Sequence, residues 1–305
     1  MYKHNLYGVR VACDVQLIAG DGAVTSVGSA DFGELEIRQL TRDFGRHTGV
    51  LVDAKEVAPG YFLSLYSDRP GVYSQAGRPW QCVVENIAKF SWEQGQRILY
   101  YQLLPGQSAR RMAFWCVHII IPMFLAFTRG THFFHASSVV LNGGAVLFLA
   151  PSWGGKSSLA RFALDNGARL LSDDKVALQL DAGSCLAVPS HPCIRPGRER
   201  EELGAIAPVY SDDPARVRAI YTLRRDQGES DIGIVEQTGL NKIESLLRHR
   251  QYGFQMAQED ALQFVCQLAD AVPLFTLRRP WGMEHMARVL WELQAHLGRI
   301  ADKND

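Results

Sequence analysis

The chain has 305 residues, 47% of them hydrophobic and 21% charged, with a formal net charge of zero. This composition describes a globular protein of one large or two modest domains with a core of ordinary size. The balanced charge excludes a general electrostatic grip on nucleic acid. Cys13, Cys82, Cys116, Cys185, Cys193 and Cys266 are scattered and form no C-x-x-C pair. Their spacing speaks against a zinc site and for reduced thiols in the cytoplasm.

The opening MYKHNLYGVRV has no apolar run of the kind a signal peptide carries. The first hundred residues read as strands and turns. YGVRVACDVQL alternates, placing Val9, Val11, Cys13, Val15 and Leu17 on one face. YFLSLYSDRPGVYSQAG predicts a hairpin turning at Asp68-Arg69-Pro70-Gly71, and ILYYQLL a further short strand before Pro105-Gly106. Tyr61, Phe62, Tyr66 and Tyr73 fit sheet packing better than a ligand platform. Residues 1–106 are accordingly expected to form a β-rich N-terminal domain, and 107–305 a second domain that carries the chemistry.

A helix is predicted from about Ser108 to Thr128, closed by Arg129-Gly130. Its apolar centre, MAFWCVHIIIPMFLAF, is shorter than a membrane span and is broken by His118 and Pro122, so a buried helix kinked at Pro122 is expected and no membrane partner. From His132 the pattern becomes β-rich, with a hairpin turn at Asn142-Gly143-Gly144. A helix is predicted from Lys156 to about Asn166, then strand ARLLSDD, then two strands around Asp181-Ala182-Gly183. RVRAIYTLRR and VPLFTLRRP are later strands; NKIESLLRHR and EDALQFVCQLADAV are helices between them. The terminal helix should bury Met283, Met286, Val289, Leu290, Leu293 and Leu297. LNKIE, Leu240 to Glu244, mimics a guanine-recognition motif, but it opens a helix, and Asn241 reads as its cap.

The stretch APSWGGKSS, Ala150 to Ser158, lies between an apolar strand and a helix. Gly154 and Gly155 let backbone N–H groups converge on phosphate oxygens at a helix start, with Ser152, Trp153 and Ser158 flanking them. Lys156 can reach the β- and γ-phosphates of ATP and the Ser157 hydroxyl can ligate Mg²⁺. Ala150 stands where such loops carry their first Gly, and costs backbone freedom only if positive φ is needed there. Trp153 either covers the nucleotide or fills a gap. One strand later, Asp173 and Asp174 supply two carboxylates pointing different ways: one for Mg²⁺, the other to take a proton from an acceptor hydroxyl. His135 opens the hairpin that leads into the loop and is expected near these acids.

Together, HASSVVLNGGAVLFLAPSWGGKSSLARFALDNGARLLSDDKVAL resembles the core of HPr serine kinase/phosphorylase and its relatives, including the kinase-like proteins of lasso-peptide clusters. The resemblance implies an α/β (α+β overall) fold: a P-loop kinase core of the type shared with phosphoenolpyruvate carboxykinases. It implies Lys156 and Ser157 on ATP and Mg²⁺. Asp173 would be the metal-side acid and Asp174 the base, or the reverse, with His135 bonded to the base or the phosphoryl group. Arg195, with Arg198 second, would contact the transferring phosphate. The acceptor implied is a Ser hydroxyl of a peptide or protein, in particular a lasso-type precursor; a small-molecule kinase or a nucleotide-binding regulatory module are the alternatives. The bifunctional enzyme's R-G-x-G stretch has no counterpart here, which speaks against phosphorolysis, a hexamer and HPr as substrate.

Overall fold

The computed structural model describes residues 1–18, 33–41, 49–58, 60–70, 78–181, 183–195, 201–225, 231–251 and 258–301. Eight strands build a first sheet: β1 (Tyr2–Leu6), β2 (Val9–Cys13), β3 (Glu34–Gln39), β4 (Val50–Ala58), β5 (Tyr61–Ser67), β6 (Trp80–Val84), β7 (Ala88–Trp92) and β8 (Ile98–Leu103). Their order is β1-β2-β3-β8-β7-β6-β5-β4, parallel at β2–β3 and β3–β8 and antiparallel elsewhere. The period-2 burial of β2 matches the alternation at Val9, Val11 and Cys13, but the strand ends there; Val15 and Leu17 lie beyond it. The hairpin expected at Asp68–Gly71 is different too. β5 pairs with β6, which starts only at Trp80, and Gly71 and Tyr73 lie outside the described residues.

The apolar helix begins as α1 (Ala109–Trp115), where Ser108 caps it by accepting from the Arg111 N–H, and ends as α2 (Ile121–Arg129) on a left-handed Gly130. Between them, Cys116–Ile120 is a π-helical turn in which the Ile121 N–H bonds the Cys116 carbonyl. The irregularity therefore precedes Pro122. A proline ring in an unbroken α-helix collides with the carbonyl four residues back, here that of His118, and the wider turn gives that carbonyl room. By length and composition the Ala109–Arg129 helix could cross a membrane, yet 83% of its most apolar stretch is buried inside the protein. Met112, Trp115, Phe124 and Phe127 share one hydrophobic cluster with the inner face of the first sheet. Edge-to-face pairs Trp80–Phe127 and Trp92–Phe124 join the two, and Tyr61 packs on Trp115.

The second sheet has nine strands. They are β9 (His132–Phe134), β10 (Ala136–Leu141), β11 (Gly144–Leu149), β12 (Arg169–Asp173), β13 (Val176–Asp181), β14 (Ser184–Val188), β17 (Ala215–Arg225), β18 (Gly233–Gln237) and β19 (Leu274–Arg279), with β15 (Cys193–Ile194) and β16 (Ala205–Ile206) as a separate two-stranded pair. The order runs β12-β10-β11-β17-β14-β13-β9, and β19 lies parallel on β17 with β18 antiparallel beside it. The β10–β11 turn has Asn142 and Gly143 both at positive φ, as a two-residue turn between twisted strands requires. Helices cover both faces. α3 (Lys156–Asp165) and α6 (Met286–Ala301) bury Val139, Val146 and Phe148, while α4 (Gly239–His249) and α5 (Gln258–Ala271) cover Leu147, Leu149 and Ile220. The result is an α+β protein built on large mixed sheets.

Two local expectations are corrected. Thr238 holds the cap position of α4, and Asn241 sits inside its first turn, because the helix starts three residues earlier than a cap at Asn241 requires. Met283 is exposed, since a separate 3₁₀ turn, Met283–His285, precedes α6; Met286, Val289, Leu290, Leu293 and Leu297 are buried as the helical spacing requires.

Candidate active site

The chain leaves β11 at Leu149, turns through residues 150–155 and enters α3 at Lys156. Ala150 is fully buried and is absent from the positive-φ residues, so it costs the bend nothing. It also explains Gly154: a Cβ there would lie 2.5 Å from the Ala150 Cβ. Trp153 and Gly155 adopt left-handed backbone, φ 66° and 81°. Trp153 is 97% exposed, which rules out the gap-filling role. Ser152 is exposed beside it; Ser157 and Ser158 lie half-buried in the first turn of α3.

Lys156 is buried. Its Nζ donates to the Ala150 and Pro151 carbonyls at 2.8 and 3.1 Å and lies 3.0 Å from His135 Nε2. Burial pulls its pKa down to about 8; Asp174, then Asp173, oppose that fall.

The two carboxylates diverge because Asp173 ends β12 while Asp174 takes φ 71°, a left-handed turn that Asp tolerates. Asp173 faces neutral donors: the Ser137 hydroxyl, the Ser157 hydroxyl at 3.0 Å and the Arg195 backbone N–H at 2.9 Å. Burial raises its pKa against these bonds. Asp174 faces basic groups: His118 Nε2 at 3.2 Å, His135 Nδ1 at 3.3 Å and Arg195 Nη1 at 3.2 Å. Burial pushes its carboxyl up, but His118, His135, Lys175 and Arg195 hold it well below the ordinary range. His118 itself is driven far below its ordinary value by burial. His118 and Asp174 thus meet as a buried imidazole–carboxylate pair, with Arg195 and Lys175 adding positive charge beside it.

One hydroxyl and one carboxylate in contact, Ser157 and Asp173, suit a Mg²⁺ ion that takes its other oxygens from phosphate and water. Among the described residues, no group of three or more His, Cys, Asp or Glu side chains is arranged to hold a metal ion by itself. The sequence reading brought together Lys156, Ser157, Asp173, Asp174, His135 and Arg195, and they meet. Arg198 lies outside the described residues. Three partners went unread. His118 passed as an interruption of an apolar run, though a histidine amid MAFWCV and IIIPMF is itself a signal. Ser137 looked like strand filler. Lys175, buried, with its Nζ donating to Gln251 Oε1 at 2.9 Å and its charge acting on Asp174, stood unmarked at the head of a β-rich run.

No protein-family model and no curated protein matches the chain. Among solved structures it is similar to the Hpr(Ser) kinase/phosphatase from Coxiella burnetii, at 14% identity and a TM-score of 0.36, over 56% of this chain and 98% of that one. The chain is thus a distant structural neighbour of that protein.

Proposed function

We propose that the chain is an ATP-dependent phosphotransferase that moves the γ-phosphoryl group to a hydroxyl. One observation carries this reading: a buried lysine at a glycine-bearing helix start, a Ser–Asp pair and a second carboxylate converge on one spot, the lysine joined to Asp174 through His135 and the two acids joined through Arg195. Phosphoryl transfer asks for little covalent chemistry and much positioning of charge, and these are its recurring parts. Lys156 and the 150–155 loop would hold the phosphate chain. Ser157 and Asp173 would hold Mg²⁺, which neutralises charge on the phosphates when bound. Asp174 would take the acceptor's proton.

The contacts favour that division of the acids over its reverse. Asp173 touches Ser157, whereas Asp174 touches His135 and Arg195. His118 first, then His135, Lys175 and Arg195 hold this carboxylate low, which makes it a weak base. An arriving phosphate would compete for the Arg195 guanidinium, removing one of these four groups from Asp174 and making it a better base. The acceptor class, a Ser hydroxyl of a peptide or protein such as a lasso-type precursor, rests on the resemblance of the His135–Leu178 stretch alone, as does the proposal that residues 1–106 help bind it and 107–305 carry the transfer.

The test is calorimetric titration of ATP with Mg²⁺ into the parent and into Lys156→Ala, followed by transfer of labelled γ-phosphate to Ser-containing peptides. Parent binding lost in a folded Lys156→Ala supports the assignment. Equal ATP affinity in the two proteins removes it.

A further inference from the structure

Arg279 ends β19 beside the loop. It is only 2% exposed, and among the described residues it makes no salt bridge. Its Nη1 reaches Met286 Sδ at 3.9 Å, a weak acceptor, and its guanidinium carbon lies 5.4 Å from the Trp281 ring centroid. Arg225 approaches the same ring at 5.5 Å. A Cβ on Gly155 would collide with Arg279 Nη2 and fall 3.6 Å from Trp281, so the guanidinium lies against the backbone from which α3 starts.

A guanidinium stays charged in proteins, and a buried charge without a counter-ion is costly. A thioether and one indole do not offset that cost. Burial accordingly pulls the Arg279 pKa down, with no opposing carboxylate. An arginine fork is also well matched to phosphate oxygens, which it can take two at a time. We infer that Arg279 is an anion-binding residue, taking a phosphate oxygen of a nucleoside di- or triphosphate seated at the 150–155 loop. It acts beside Lys156, with Trp281 fixing its plane. The inference rests on the phosphate-loop reading above and adds a ligand to it from a strand distant in sequence.

The experiment measures ATP and tripolyphosphate affinity by calorimetry, and thermal midpoints without ligand, for the parent, R279M and R279Q. Methionine fills the same apolar surroundings without charge, so R279M should match or exceed the parent's ligand-free midpoint. Both variants should bind ATP and tripolyphosphate at least about tenfold more weakly, a loss of about 1.4 kcal/mol. A folded R279M or R279Q with parent affinity overturns the assignment, as does a fallen midpoint with unchanged affinity, which marks a packing role alone. Absence of ATP binding in the parent removes the phosphate-loop reading itself, a different result from parent binding that Arg279 does not influence.

Discussion

Exchanging each carboxylate for its amide should give two unlike proteins. In Asp174→Asn the charge that balances Arg195 and Lys175 disappears, while both cations stay where they are. Breaking a buried pair from one side costs about 3–5 kcal/mol, and at about 2–4 °C per kcal/mol for larger domains the midpoint should fall by roughly 10 °C. In Asp173→Asn the partners are two hydroxyls and one backbone N–H, all neutral. Burial already disfavours the charged form of Asp173. Removing that charge offsets part of the lost acceptor, so the cost should stay near 1–2 kcal/mol, about one poorly satisfied hydrogen bond. Ligand effects should run the other way: Asp173→Asn should need more Mg²⁺ and bind nucleotide more weakly, whereas Asp174→Asn should lose about 10²–10⁴-fold in transfer rate. The assays are thermal unfolding without ligand, Mg²⁺ titration of ATP binding, and single-turnover transfer. If Asp173→Asn is the more damaged fold and keeps the parent's Mg²⁺ dependence, the assignment of neutral and charged surroundings is wrong.

Three further outcomes are expected. Gly155→Ala should lose at least about 1–2 kcal/mol in urea unfolding, since it forces an alanine to φ 81° and into Arg279. Trp153→Gly should stabilise the ligand-free protein by up to about 1 kcal/mol, because it frees a left-handed position from an indole that packs on nothing; if Trp153 covers the nucleotide, the same change reduces the ATP-induced change in tryptophan emission to what Trp281 contributes. Buried His191 has its pKa lowered to about 4 by desolvation, and His249 likewise to about 4. The unfolded chain takes up these protons near 6.5 and the folded chain does not, so stability is full above about pH 6.5 and falls as pH drops toward 4. Chemical denaturation across that window checks the slope, which His191→Gln should flatten.

What could be read in the sequence was local. His135, Ala150–Ser158 and Asp173-Asp174 lie on a hairpin, a loop, a helix and the next strand, so their meeting follows from elements whose lengths are set by nearby turns. Residue types also carried the strands: unbroken apolar runs at 139–141 and 145–149 suit strands covered on both faces, and Val139, Leu141, Val146 and Phe148 enter one core while Val140, Ala145, Leu147 and Leu149 enter the other. What could not be read was pairing at a distance. Arg279 reaches the loop because β19 lies parallel on β17 and β17 parallel on β11, and no local turn announces either pairing. His118 reaches Asp174 only through the packing of a helix that, from sequence, needed nothing but an apolar core. The exposed edge strand β18 lacks a strong pattern, which hid it as well.

The π turn at Cys116–Ile120 has a consequence for inheritance. It accommodates one residue more than the α-helical register before and after it. Loss of a single codon from this segment would let the turn close up as ordinary α-helix, with the turns on either side still facing as before. Met112 and Trp115 would keep the face they share with Phe124 and Phe127, but His118, inside the turn, would be re-aimed away from Asp174. One in-frame deletion there would strike the site and spare the core, whereas the same deletion in the α-helical turns before or after it would rotate everything beyond by about 100°.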